Sequence, residues 1–171
     1  MTTRRKTEEK DLWGLDSGLA SDMDITIVKS RFGYLDTYQN GEACLLVWDY
    51  SSPDYDPEYP IIWPLGKGWE TNRDGILAEH AKRSRFVDTS FMGRLIKRCA
   101  DIGASDALKA KGLPRDASIW EGMQFHMMRE TITFPGGAER GIPESTEHLM
   151  PTEFLGGGVK AAAPTRAERR A

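Results

Sequence analysis

A chain of 171 residues, 39% hydrophobic and 29% charged, is long enough for one domain with tails and apolar enough to fill one core. The formal charge of −3 excludes a globally basic nucleic-acid binder, but not one whose cations are gathered on a single surface. Cys44 and Cys99 lie far apart in apolar surroundings and read as buried free thiols, and no apolar run nears the roughly 18 residues of a membrane span.

Residues 1–22 mix Arg4, Arg5, Lys6, Glu8, Glu9 and Lys10 without helical periodicity, which predicts a flexible N-terminal arm with Trp13 and Leu15 able to dock. The charged start has no apolar signal segment, so a cytoplasmic protein is expected. The folded domain is expected over residues 23–156. Its first strand covers 24–28 and continues toward Leu35, and Gln39-Asn40-Gly41 supplies a turn, since Asn and Gly tolerate positive φ. In the next strand, 42–50, Cys44, Leu46 and Trp48 alternate with Ala43, Leu45 and Val47. Both faces are apolar, as in a central strand or a closed barrel. An acidic loop with Pro53, Asp54, Asp56, Pro57 and Glu58 leads to a third, edge-type strand at 60–65. A short hairpin is predicted over 69–77, turning at 72–75.

The helix signal is the clearest. Ser90 is an N-cap, Met92, Leu95, Ile96, Cys99 and Ile102 recur at helical spacing, and Gly103 stops the run. A second helical turn is predicted at 107–111, a long strand at 123–134 and a last short strand near 152–155. Residues 157–171 hold little that packs a core and read as a flexible tail rich in Gly, Ala and Arg. Three strands, a helix and two strands follow the order of an OB-fold, a mainly β, five-stranded Greek-key barrel with its helix between strands 3 and 4.

No catalytic constellation emerges. His80, His126 and His148 share no metal-ligand spacing, and Gly66-Lys67-Gly68 lacks the Gly-x-x-x-x-Gly-Lys pattern of a phosphate loop. Asp54, Asp56 and Glu58 do not follow the calcium-loop pattern. The expectation is a non-enzymatic protein without metal or cofactor.

One stretch opposes the net acidity. Lys67, Arg73, Lys82, Arg83, Arg85, Arg94, Lys97 and Arg98 face four acids between residues 67 and 98, a local charge of +4. Such cations neutralise phosphates and release counterions, giving salt-dependent affinity without base specificity. Binding a single strand also needs exposed rings on which bases stack, each worth roughly 1 to 3 kcal/mol. Of Phe32, Tyr34, Tyr38, Trp48, Trp63, Trp69, Phe86 and Phe125, the rings near turns, glycines or charges are Tyr34, Tyr38, Trp69 and Phe86. Arg31, beside Phe32, adds a possible phosphate contact.

The succession Phe32-Gly33-Tyr34, Asn40-Gly41, Gly66-Lys67-Gly68-Trp69-Glu70, 90–96 (Ser-Phe-Met-Gly-Arg-Leu-Ile), 120–126 (Trp-Glu-Gly-Met-Gln-Phe-His) and 151–156 (Pro-Thr-Glu-Phe-Leu-Gly) resembles small proteins of actinobacterial tailed phages. The plan is similar to that of bacteriophage single-stranded-DNA-binding proteins of the OB type, over about residues 24–156. The resemblance implies a protein that coats single-stranded DNA in replication or recombination in the host cytoplasm. It also implies replication or recombination proteins as partners, a homo-oligomer, and binding through rings and cations on the barrel face and its loops. The chain ends Thr-Arg-Ala-Glu-Arg-Arg-Ala, a departure from the acidic tip of many such proteins. The competing readings are a virion structural or assembly protein, such as a head–tail connector or tail component, an inhibitor of a host enzyme, and an unrecognised enzyme.

Overall fold

The computed structural model describes residues 22–134 and 145–157. Apart from Asp22 and Gly157, the N-terminal arm and the tail expected at 1–22 and 157–171 lie outside the described residues. The elements in order are β1 (Asp22–Gly33), β2 (Leu45–Ser51), β3 (Ile61–Pro64), β4 (Trp69–Thr71), β5 (Ala78–His80), α1 (Phe91–Asp101), α2 (Ser105–Lys109), a 3-10 turn (Ala117–Trp120), β6 (Met123–Thr133) and β7 (Ser145–Gly157). The protein is mainly β. Its main sheet is antiparallel and five-stranded, in the order β3-β2-β1-β6-β7, and β4 and β5 form a separate hairpin. Taken as the first to fourth strands of that sheet, β1, β2, β3 and β6 lie in the spatial order fourth-first-second-third, the Greek-key arrangement.

The register explains the two-sided apolarity of β2. Phe32 of β1, Leu46 of β2 and Trp63 of β3 lie opposite one another and face the core. Arg31, Val47 and Ile62 form the neighbouring row on the other face. Leu45 and Val47 on that face are also fully buried. Across the core, Trp48 meets Trp63 and Trp120 with ring centroids 5.0 and 5.2 Å apart, and Phe125 stacks at 6.2 Å. The indole N–H groups of Trp48, Trp63 and Trp120 find no hydrogen-bond acceptor among the described residues. Cys44 and Cys99 are buried and free, and burial pushes their thiols up to about 11 and about 12.

β1 pairs with β2 over Thr26–Gly33 but with β6 only over Asp22–Thr26. The edge that β6 leaves open is closed by three separate groups. Gly122 N–H donates to the Ile27 carbonyl at 2.8 Å, Ser30 N–H donates to Glu121 Oε2 at 3.1 Å, and Phe32 N–H donates to the Gly75 carbonyl at 2.7 Å. Glu121 is itself braced, because its carbonyl accepts a hydrogen bond from Lys111 Nζ.

α1 begins as expected: Ser90 Oγ accepts from Gly93 N–H at 3.0 Å and donates to the Val87 carbonyl at 2.6 Å. It ends at Gly103, with φ +83°. Three expectations are corrected. The hairpin turn runs to Leu77, because Leu77 bridges Asp116 and Ala78 N–H donates to the Arg115 carbonyl at 2.9 Å. The short second helix spans Ser105–Lys109, two residues earlier than 107–111. The last strand is 13 residues long, not four: Ser145–Met150 pairs with the second half of β6 although Glu147 and His148 obscure its alternation. Pro151 is tolerated because β7 is the sheet's last strand and the register shifts beside its partner Met127.

The two end strands of the sheet meet through a side chain. His148 of β7 places Nε2 2.6 Å from the Ile62 carbonyl of β3 and Nδ1 2.7 Å from the Leu149 carbonyl. Its ring packs on Trp63 at 4.4 Å and on Phe91 of α1 at 5.1 Å. Among the described residues no helix is long and apolar enough to cross a membrane.

Two stability predictions follow from these contacts. A Cβ on Gly93 would lie 2.1 Å from the Val87 carbonyl oxygen and 2.6 Å from Asp88 Cα, both backbone atoms. Gly93→Ala therefore lowers the unfolding free energy by about 1–3 kcal/mol, and with it the denaturation midpoint, despite the roughly 1 kcal/mol that helix propensity alone would add. An unchanged or raised midpoint contradicts the packing. Burial pushes the His148 pKa below its ordinary 6.5, against the opposing pull of the two carbonyls. The folded state then takes up its proton less readily than the unfolded chain, so stability is full above about pH 6.5 and drains away below it. Between about pH 7 and 5 the denaturation midpoint of the wild type should fall more than that of His148→Gln; parallel curves contradict this.

Candidate nucleic-acid interface

The Gly75–Phe32 hydrogen bond docks the β4–β5 hairpin on β1, and around it several of the expected site residues come together. Gly75 has φ +72°, and a Cβ there would lie 2.7 Å from the Phe32 carbonyl oxygen and 3.8 Å from Arg31 Cβ. The close approach brings the turn bearing Arg73 beside Arg31. Asn72 shapes that turn: its Oδ1 accepts from Ile76 N–H at 3.0 Å and Leu77 N–H at 3.2 Å, and its carbonyl accepts from Gly75 N–H at 3.1 Å.

Tyr34 follows β1 and is 44% exposed, the most open of the expected rings. Desolvation first, then its neighbour Cys44, hold its phenol above the ordinary value, while a contact with the Thr71 backbone of β4 pulls the other way. Tyr38 is half-buried before the 3-10 turn Gln39–Gly41, where Gln39, Asn40 and Gly41 have φ of +48°, +57° and +76°. Tyr34 and Tyr38 thus belong to the β1–β2 connection.

On the far side of the hairpin, the 66–68 turn meets the loop after β5. The His80 ring lies between them, with Nε2 3.2 Å from the Lys67 carbonyl and Nδ1 accepting from Lys82 N–H at 3.0 Å. Phe86 folds back onto Trp69 with ring centroids 4.4 Å apart. Lys67, Arg73, Lys82, Arg83 and Arg85 are exposed. Among the described residues none of the five has an ion-pair partner.

Other expected residues are committed elsewhere. Trp69 is 5% exposed, a core residue under His80 and Phe86, because the hairpin folds that face inward; Phe86, half-buried against it, offers only part of a ring. Phe32, Trp48, Trp63 and Phe125 are core as well. Arg94 donates to the Thr133 carbonyl at 2.6 Å and the Thr89 carbonyl at 3.1 Å, with its guanidinium 4.9 Å over Phe134. Arg98 forms a two-pronged pair with Glu130 at 2.7 and 2.8 Å and donates to the Pro151 carbonyl at 3.0 Å. With exposed Lys97 they line a groove of about 390 Å³ against β6 and β7. Arg94 and Arg98 are therefore struts between helix and sheet, not an extension of the loop cations. The Arg98 guanidinium holds the Glu130 carboxyl below its ordinary range.

The acidic residues also have local partners. Asp54 Oδ2 accepts from Asp24 N–H at 2.9 Å, and His126 Nδ1 lies 2.6 Å from Asp24 Oδ1. Among the described residues no group of three His, Cys, Asp or Glu side chains is placed to hold a metal.

Comparison with protein-family models, curated proteins and solved structures finds no match for this chain. The interface therefore rests on its own geometry. Sequence reading missed His80, whose partners are backbone groups with no side-chain pattern, and Glu130, whose role depends on which helical cation reaches it. The division into struts and exposed cations has a direct check. Arg98→Ala should cost about 1–2 kcal/mol of stability in chemical denaturation, because it leaves Glu130 unpaired. Arg83→Ala should stay within about 0.5 kcal/mol of wild type. Equal effects would contradict the division.

Proposed function

We propose that this is a non-catalytic single-stranded-DNA-binding protein of a bacteriophage, built as an OB-like barrel and acting in replication or recombination. The observation that carries the reading is a cluster of exposed cations around one hairpin in a protein of net charge −3. Lys67, Arg73, Lys82, Arg83 and Arg85 have no ion-pair partner among the described residues, and Tyr34 supplies an exposed ring at the same hairpin. Cations of this kind contact phosphates, and a sequence-tolerant ring contributes stacking.

The barrel reading is supported by the Greek-key strand order, by α1 falling between the third and fourth strands of the main sheet, and by the approach of β3 to β7 at His148. In an OB-fold the connection between the first two strands takes part in binding oligonucleotides. Here that connection carries Tyr34 and Tyr38. The outer face of β2, with Leu45 and Val47 fully buried, presents no ring or cation, so the proposed contacts lie on the loops.

The virion-assembly reading has one observation in its favour. Ile76, Leu77 and Leu113 are exposed on neighbouring segments, the kind of apolar surface that a subunit contact would cover.

A labelled oligo-dT should bind more tightly than duplex of equal length in fluorescence anisotropy, with affinity falling steeply as salt rises. Replacing Arg83 and Arg85 together by Ala should weaken binding and flatten the salt slope by roughly 1.4, two single-strand phosphate contacts at about 0.7 each. Tyr34→Ala should remove about 1–3 kcal/mol of binding energy. No binding at about 50 mM salt, where phosphate contacts are strongest, rejects the reading; concentration-dependent self-association in light scattering would then favour assembly.

A further inference from the structure

We infer that His80 is a positioning residue of the proposed interface, a bracket that holds the Lys67 turn and the Lys82–Arg83–Arg85 loop together as one cationic edge. The inference deepens the single-stranded-DNA reading and rests on it. Two chain segments carry these cations, and both are exposed, with no ladder pairing between them. The ladder pairing of Trp69 with His80 aligns the two segments at their roots, but the turn of residues 66–68 and the loop after β5 both continue past it, each with its own side-chain freedom. A polyanion bound across both would then have to order them at the moment of binding, at a cost in conformational entropy.

The geometry around the ring removes that freedom. Nδ1 accepts from Lys82 N–H at 3.0 Å, so the ring proton resides on Nε2, and Nε2 lies 3.2 Å from the Lys67 carbonyl, which can only accept. One imidazole therefore closes two hydrogen bonds in opposite directions, one to each cationic segment. Its face is set by Trp69, 5.1 Å away and buried, and by its cross-strand pairing opposite Trp69 in the hairpin.

A second, independent feature agrees. Gly68 has φ +87°, and a Cβ at this position would lie 2.5 Å from His80 Nε2 and 3.1 Å from Cδ2. The backbone beside Lys67 is thus shaped to admit this ring. The loop's other end is pinned by Phe86 on Trp69 at 4.4 Å, so the residues between His80 and Phe86 are tied down at both ends with their cations pointed to solvent.

The variants separate positioning from folding. His80→Phe keeps a flat ring against Trp69 and loses both hydrogen bonds. Its denaturation midpoint should stay close to wild type, while affinity for labelled oligo-dT drops roughly three- to tenfold and the salt slope shrinks by about 0.7 to 1.4, one or two phosphate contacts. His80→Asn retains an acceptor where Nδ1 stood, and His80→Gln a donor near Nε2; each should recover part of the loss. Gly68→Ala, which leaves His80 in place but displaces its ring, should lose affinity and salt slope as His80→Phe does, and in addition some stability, because Ala is strained at φ +87°. Nitrogen-15 NMR of the imidazole gives a reading without DNA and should find the proton on Nε2. Wild-type affinity and slope in His80→Phe, or a ring proton on Nδ1, overturns the inference. A wild-type protein that does not bind oligo-dT overturns the parent reading and this one with it, whereas a binding wild type with an indifferent His80→Phe overturns this one alone.

Discussion

A long strand with one edge only half paired is the constraint on which the rest of this structure depends. β1 runs 12 residues, yet β6 accompanies it only as far as Thr26. Backbone groups on a buried edge must find partners, since leaving one unmade costs about as much as a lost hydrogen bond. Three groups from two distant pieces of chain are recruited to that edge: the Gly122 amide, the neighbouring Glu121 carboxylate and the Gly75 carbonyl. Two of them fix the turn that leads into β6, and the third fixes the hairpin. The hairpin's place on the molecule is thus set by the hydrogen-bonding needs of β1, and the cations it carries are placed with it.

The glycines that matter enforce the same logic of close approach. Gly75 reaches β1 only because it has no side chain, and Gly93 lets the loop at Val87 and Asp88 cross the first turn of α1. The loop that crosses there is the continuation of the one bearing Lys82, Arg83 and Arg85. Core packing works from the other side: Trp69 is drawn inward, and Phe86 and His80 cover it. Trp69, expected as an exposed ring, is instead the anchor that shapes the loop.

Charge in this protein is divided by context rather than by residue type. Arg94 and Arg98 lie on a helix packed against the sheet, where carbonyls and Glu130 are within reach, so their guanidinium groups tie helix to strand. Lys82, Arg83 and Arg85 lie on an exposed loop and form no ion pair among the described residues, so their charge faces water. Planar Arg suits the first role because it satisfies several acceptors at once. The second role asks only for charge in a fixed place.

Much of the fold was readable in the sequence because it is dictated locally. Ser90 capping α1, Gly103 ending it, the apolar faces of β2 and the Asn-Gly turn each follow from side-chain chemistry within a few residues. The cationic stretch was legible for the same reason, since charge is visible in composition. The length of β7 was not, because its pairing with β6 tolerates Glu147, His148 and Pro151 in ways that no single-strand pattern encodes. Nor was the sorting of rings and cations into core, strut and surface. Trp69 and Tyr34 both sit near turns and charges in the sequence, yet one is buried and the other open. What separates them is that Trp69 lies in β4 on its core-facing side whereas Tyr34 lies just past the end of β1, and where the strands stop is decided by pairing between segments distant along the chain. The bracket at His80 is of the same kind: its partners are backbone groups, which every residue has, so only their meeting in space distinguishes them.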